Sequence, residues 1–332
     1  MASNRRDLKS YVRYDGSGRI IPGSNVLRKN MPKVGKWKET QAYQCCNPTP
    51  PPIINALRLT FDSIENADLL VGDSSDVNDW NTFFDLPTYG NPFTSVEVVG
   101  DEVQLFGGSD IIAKQSLFYP IEHVISVNDL AGSIIKCEDS AFGANSEEFV
   151  SVLEYVNLLA CTSLGTEIED ITSVFSYNIN LQECNFPSVL TAGDYCFYNC
   201  TSLTTISLPL LTSAGDYCFY NCTSLTTIDL QLLTTAGSAC FFSCTSLTTI
   251  DLQLLTTAGS ACFYDCYSLT TINLPSCTDL GLTSGVDFVF DGISSNTITA
   301  TFNSVLATNN GGNPDGDIQY LSANNTVTIT YV

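Results

Sequence analysis

Between about Phe142 and Asn273 the apolar positions follow one rule. Leu203, Ile206 and Leu208 stand as L-x-x-I-x-L, and Leu225, Ile228, Leu230 and Leu247, Ile250, Leu252 repeat the pattern at intervals of 22 residues. Alternate apolar positions of this kind turn one side of a short strand inward. An Ala-Gly turn comes next. Asp194, Asp216, Ser238 and Ser260 then occupy the place of an N-cap, ahead of C-F-x-x-C, whose spacing predicts one turn of α- or 3-10 helix.

The period is that of a tandem duplication. Residues 230–251 and 252–273 agree at 18 of 22 positions, and residues 186–207 and 208–229 keep the same register. Two degenerate copies precede them, which gives six coils in all. One such unit cannot bury its own apolar side. The copies must therefore stack, with equivalent residues about 4.8 Å apart along parallel strand ladders.

The stretch CFYNCTSLTTISLP, residues 196–209, resembles the AFxNCxSLTxIxLP signature of BspA-like, or Treponema-type, leucine-rich repeats. The resemblance implies a curved solenoid and a role in adhesion or recognition. Cys196 stands where that family usually has Ala.

Outside the repeats the pattern is looser. Residues 53–136 read as short strands (ALRLTF, TSVEVV, EVQLF, HVISV) separated by Gly, Asp and Asn turns, Gly100-Asp101 among them. Beyond Asn273 the 22-residue register breaks, and TITATF (297–302) and TVTITYV (326–332) read as strands closing the end of the solenoid. The fold expected is mainly β with short helical or 3-10 turns. Its divisions are an arm (1–46), a Pro-rich linker (47–52), a β-rich module (53–136), a leucine-rich-repeat solenoid (137–273) and a C-terminal β cap (274–332).

Charge sharpens these boundaries. Ten of the thirteen Lys and Arg lie in residues 1–40 against three acids, and the rest of the chain has three basic and 32 acidic residues. No Lys or Arg follows Lys136. A body of that sign repels phosphate, so no nucleic acid is expected at the solenoid. The basic segment interleaves cations with apolar side chains and suits an arm that anchors on other proteins. Its candidate residues are Arg5, Arg6, Lys9, Tyr11, Arg13, Arg19, Ile20, Ile21, Arg28, Lys29, Lys33, Lys36, Trp37 and Lys38. The N-terminus lacks the apolar core of a signal peptide, and no run of apolar residues is long enough to span a bilayer. The arm, the segment DWNTFFDLP (79–87) and the end of the chain resemble virion proteins of tailed phages, particularly those of Bacteroidetes hosts. That resemblance implies a virion protein made in the host cytoplasm, in a homo-oligomeric assembly.

Candidate chemistry is sparse. Cysteine pairs at i and i+4 in four coils fit either soft-metal ligation or a buried stack of small side chains, and the apolar flanks without histidine favour the stack. Cys45 and Cys46 carry no assigned role. Asp194 and Asp216 read as N-caps. Asp229 and Asp251, at equivalent outward positions, read as a solvated pair rather than a Ca²⁺ site. The single histidine, His123, has no nucleophile at a telling spacing, so no catalytic residue, metal or cofactor is expected. The candidate binding surface is an aromatic stripe of Tyr198, Tyr220, Phe242 and Tyr264, with Thr205, Thr227, Thr249, Asp229 and Asp251 along the strand face. Its expected partner is a host-surface glycan or protein, or a neighbouring subunit. A bacterial adhesin and an intracellular repeat scaffold are the alternatives.

Overall fold

The structure is a computed structural model that describes residues 9–13, 26–28, 37–39, 56–71, 73–84, 93–113, 123–138, 140–143, 152–165, 173–281, 288–293, 297–308 and 316–332. The chain divides into two units, Met1–Ile54 and Asn55–Val332. In the first, β1 (Lys9–Arg13) pairs antiparallel with β2 (Val26–Arg28) and β3 (Trp37–Glu39), giving a three-stranded sheet in the order β2-β1-β3.

The second unit is the solenoid. Strands Tyr155–Leu158, Glu183–Asn185 and Thr205–Ser207 pair in parallel, and so do Ser163–Leu164, Thr191–Ala192, Ser213–Ala214, Thr235–Ala236, Thr257–Ala258 and Asp279–Leu280 on a second side. Every inward residue named from the pattern is buried, Leu203, Ile206, Leu208, Leu225, Ile228, Leu230, Leu247, Ile250 and Leu252 alike. The mainly β, leucine-rich-repeat architecture expected from the sequence is the one observed.

A third side departs from expectation. The C-F-x-x-C segments are turns without helix. Tyr195, Asn199, Tyr217, Asn221, Ala239, Ser243, Ala261 and Asp265 all have φ between 52° and 58°. Two left-handed residues four apart cannot be accommodated in a right-handed helical turn. They free alternate N–H groups for the next coil: Tyr195, Phe197 and Asn199 donate to the carbonyl oxygens of Asp216, Cys218 and Tyr220 at 2.8, 2.7 and 2.8 Å. Each coil is thus tied to the next on all three sides.

The ladders also run beyond the exact repeats. In the N-terminal part lie β4 (Leu57–Phe61), α1 (Ile64–Val71), α2 (Val77–Phe83), β5 (Ser95–Val99), β6 (Glu102–Phe106), β7 (Ile111–Ala113), β8 (Val124–Asp129) and β9 (Ile134–Cys137). β8 pairs in parallel with Tyr155–Leu158 and forms the first rung, onto which β4, β6 and β5 add antiparallel. The two helices were not expected in a region read as strands and turns. Asp76 caps α2 through Asn78 N–H, and Trp80 sits fully buried against Phe61, Phe83 and Phe84, so ring packing holds α2 against β4. At the other end Thr297–Phe302 and Thr326–Tyr331 continue the parallel ladder from Thr271–Leu274, with α3 (Gly316–Asn324) between them.

Candidate recognition surface

The aromatic stripe is a stacked ribbon. Ring centroids of Tyr198, Tyr220, Phe242 and Tyr264 follow one another at 4.8, 4.7 and 4.7 Å, with interplanar angles of 11°, 11° and 1°. Tyr195 and Tyr217 stack beside it at 4.8 Å, and Tyr177 meets Tyr198 edge-on. Turn-side pairing of the coils sets this spacing. Because each ring face covers its neighbour, the half-buried ribbon offers a partner mainly ring edges and phenolic hydroxyls. A parallel ladder of phenylalanines, Phe142, Phe175, Phe197, Phe219, Phe241, Phe263 and Phe290, stacks fully buried inside, with successive centroids 5.1 to 5.8 Å apart.

The strand-face candidates sit on a different side of each coil. Thr205 and Thr227 are exposed and Thr249 half-buried. Thr249 continues by register to Thr271, Thr299 and Thr328. Asp229 bridges to Ser207 and is exposed, whereas Asp251 is half-buried and accepts from Asn273 Nδ2 at 2.8 Å and from Gln253. The same outward column begins as an asparagine ladder: Asn157 Nδ2 donates to Asn128 Oδ1 at 2.7 Å and Asn185 Nδ2 to Asn157 Oδ1 at 2.8 Å.

Asp194 and Asp216 bind backbone, but across the coil boundary. Asp194 Oδ1 accepts from Asp216 N–H at 2.7 Å, and Asp216 Oδ1 from Ser238 N–H at 2.6 Å. Absent a helix to cap, each carboxylate satisfies the following coil. Exposed threonines act in the same way: Thr212, Thr234 and Thr256 Oγ1 donate to carbonyl oxygens 22 residues earlier, at 3.0, 2.9 and 2.9 Å. Among the described residues all the cysteines are buried free thiols, and no group of three His, Cys, Asp or Glu is placed to hold a metal ion.

Sequence reasoning missed one column. Leu210, Leu232 and Leu254 are 41%, 38% and 45% exposed and line the corner between the two strand sides. Their signal was the second leucine of each L-P-L-L or L-Q-L-L, one position out of phase with the inward set. Of the arm residues, Lys9, Tyr11 and Arg13 lie on β1, Arg28 on β2, and Trp37 and Lys38 on β3. Arg5, Arg6, Arg19, Ile20, Ile21, Lys29, Lys33, Lys36, Cys45, Cys46 and the linker 47–52 lie outside the described residues.

Residues 166–284 match the model of the BspA type leucine rich repeat region, in six copies. Comparison with curated proteins gave no match. Among solved structures, a leucine-rich repeat protein from Bacteroides ovatus ATCC 8483 is 22% identical with a TM-score of 0.42, over 60% of this chain and 46% of that one. A leucine rich cell surface protein from Faecalibacterium prausnitzii A2-165 is 22% identical with a TM-score of 0.37, over 50% of this chain and 43% of that one. The Treponema pallidum leucine rich repeat protein is 19% identical with a TM-score of 0.31, over 60% of this chain and 87% of that one. The chain thus spans less than half the length of the first two.

Proposed function

We propose that the chain is a non-enzymatic recognition protein whose acidic solenoid binds a protein surface through the aromatic ribbon and the adjoining polar columns. The observation that carries this reading is the regular 4.7–4.8 Å repeat of Tyr198, Tyr220, Phe242 and Tyr264, which lets weak edge and hydroxyl contacts add along an extended partner. Stacking on sugar rings needs open ring faces, and the ribbon uses its own faces internally, so a protein partner fits better than a glycan. The setting we assign is the exterior of a phage particle, in attachment or decoration, with residues 1–46 as the anchor to other virion proteins. It rests on the resemblance of the segments outside the repeats. The BspA type match of residues 166–284 favours a bacterial surface adhesin as the second setting.

Two measurements test this. An antibody against the solenoid should label purified particles, whereas labelling of uninfected cells alone would replace the virion setting by the adhesin. Particles carrying Tyr198→Ala, Tyr220→Ala and Tyr264→Ala should assemble normally and adsorb to host cells more slowly. Unchanged adsorption in that variant and in particles lacking residues 137–332 would overturn attachment and leave decoration.

A further inference from the structure

The N-terminal sheet sorts its residues by face. Lys9 lies opposite Arg28, Tyr11 opposite both Val26 and Glu39, and Arg13 opposite Trp37. Residues opposite one another in a ladder, and residues two apart along a strand, share a face. One face therefore gathers Lys9, Arg13 and Arg28 with Tyr11 and Trp37, together with Val26 and a single acid, Glu39. The other face takes Ser10, Val12, Leu27 and Lys38. The loops between the strands break the linear order of these residues, so the grouping appears only in the pairing register.

From this juxtaposition we propose that the three-stranded sheet of residues 9–39 binds single-stranded nucleic acid. Cations and aromatic residues that the register places on one face of a sheet match both halves of that ligand, because cations meet phosphates and every base has a face on which a ring can stack. An acidic protein would engage the cations and leave Tyr11 and Trp37 without a matched contact. An anionic membrane favours a contiguous apolar face, and this one alternates charge with ring. The inference concerns the unit outside the solenoid and stands whether or not the solenoid proves to be a recognition surface.

The test uses the full-length chain and a labelled oligothymidylate of about 20 nucleotides, long enough for one such site. Anisotropy should show binding whose logarithm falls with the logarithm of salt at a slope of about −2, as three neutralised phosphates on a single strand require. The chain has two tryptophans, and Trp80 is fully buried, so quenching on titration should report Trp37. Arg13→Glu with Arg28→Glu should weaken binding at least tenfold. Trp37→Leu should weaken it about tenfold and abolish the quench, while Trp37→Phe restores most of the affinity, as loss of one stacked base predicts. Unchanged backbone amide resonances of residues 9–39 in each variant certify that the sheet is folded, since the solenoid's own thermal transition reports the other unit. Absence of binding, binding unaffected by the Arg13 and Arg28 reversals, or binding to phosphatidylserine vesicles or polyglutamate that the oligonucleotide does not displace would overturn the proposal.

Discussion

The thiol of Cys222 donates to the carbonyl oxygen of Phe197, in the preceding coil, at 3.3 Å. Cys200, Cys244 and Cys266 repeat the contact to Phe175, Phe219 and Phe241 at 3.2 Å each. Phe197 O also receives Cys200 N–H at 3.2 Å, so the S–H supplies the second bond to a carbonyl that the left-handed turn directs inward. An alanine at this place would fill less of the core and donate nothing. The cysteines are therefore inter-coil fasteners, and that role requires them protonated.

Alkaline lability follows. Burial pushes the thiols of Cys137, Cys184, Cys196, Cys200, Cys218, Cys222, Cys240, Cys244, Cys262 and Cys266 above their ordinary value. A group raised in the folded state gives stability that is fully present below its unfolded pKa and is lost as pH rises through that range. Each thiol ionised only on unfolding contributes a slope of about 1.4 kcal/mol per pH unit. The buried carboxyl of Asp129 and the half-buried one of Asp194, both raised by desolvation, act with the same sign at acid pH. Calorimetric melting should therefore be near its highest in mild acid and drop steeply above about pH 9, in step with alkylation of previously unreactive thiols. A melting temperature constant from pH 7 to 10 would contradict this.

The coil-to-coil contact of Asp194 leaves no space beside it. A Cβ on Gly215 would fall on Asp194 Oδ1 and within 2.7 Å of the Asp194 nitrogen. Gly215→Ala must displace the carboxylate or spread the coils, and should cost more than about 2 kcal/mol, well above the ordinary price of a glycine replacement. Asp194→Ala removes the acceptor of Asp216 N–H and should cost about 1–3 kcal/mol. With the carboxylate gone, Gly215→Ala should become milder. Equal effects of that substitution in the presence and absence of Asp194, measured by a double-mutant cycle, would break the link.

How far the sequence could be read depended on the interval. Leu203 to Leu252 were legible because 22-residue identity marks each inward position. The column Asn128, Asn157, Asn185 advances by 29 and 28 residues instead, and from Asn273 it passes to Thr301 and Thr330, so these rungs share geometry without sharing a period. Asp194 was visible as a capping residue, but its donor lies 22 residues away and no local rule names it. The left-handed turns were hidden for a similar reason. Asn199 is a residue that accepts positive φ, whereas Tyr195 and Ala239 are not, and only inter-coil hydrogen bonds hold them there. The aromatic stripe was legible as a column; that its faces are closed required the ring spacing.

The strand face carries one weak joint. Its parallel pairing reaches Thr205–Ser207, continues to the next coil only as a single bridge at Asp229, and resumes with Thr249–Asp251. Asp229 and Asp251 are the carboxylates on these successive coils, and two charges about 5 Å apart in water repel by about 0.8 kcal/mol. Asp229→Asn removes the repulsion and provides an amide that can donate to Asp251, as Asn273 does from the other side. The variant should be more stable by about 0.5–1 kcal/mol at low salt, with the gain shrinking as salt rises. A loss of stability, or a gain independent of salt, would show that the joint has another cause.

The aromatic ribbon can be separated into what it does for the fold and what it offers a partner. Tyr220 lies between Tyr198 at 4.8 Å and Phe242 at 4.7 Å, so its ring closes two stacks at once. Phe242 shows that the ribbon tolerates a ring without a hydroxyl. Tyr220→Phe should therefore leave melting unchanged within about 0.5 kcal/mol, because both stacks survive. Tyr220→Ala removes two aromatic pairs worth about 0.5–1.5 kcal/mol each, in addition to the area they bury, and should cost about 2–3 kcal/mol. In adsorption the order differs. If the phenolic rim meets the partner, Tyr220→Phe slows attachment although the protein is as stable as before. A variant that loses stability and attachment only together, through Tyr220→Ala alone, would make the ribbon a structural stack and move recognition to the strand-face columns of Thr205, Thr227 and Thr249.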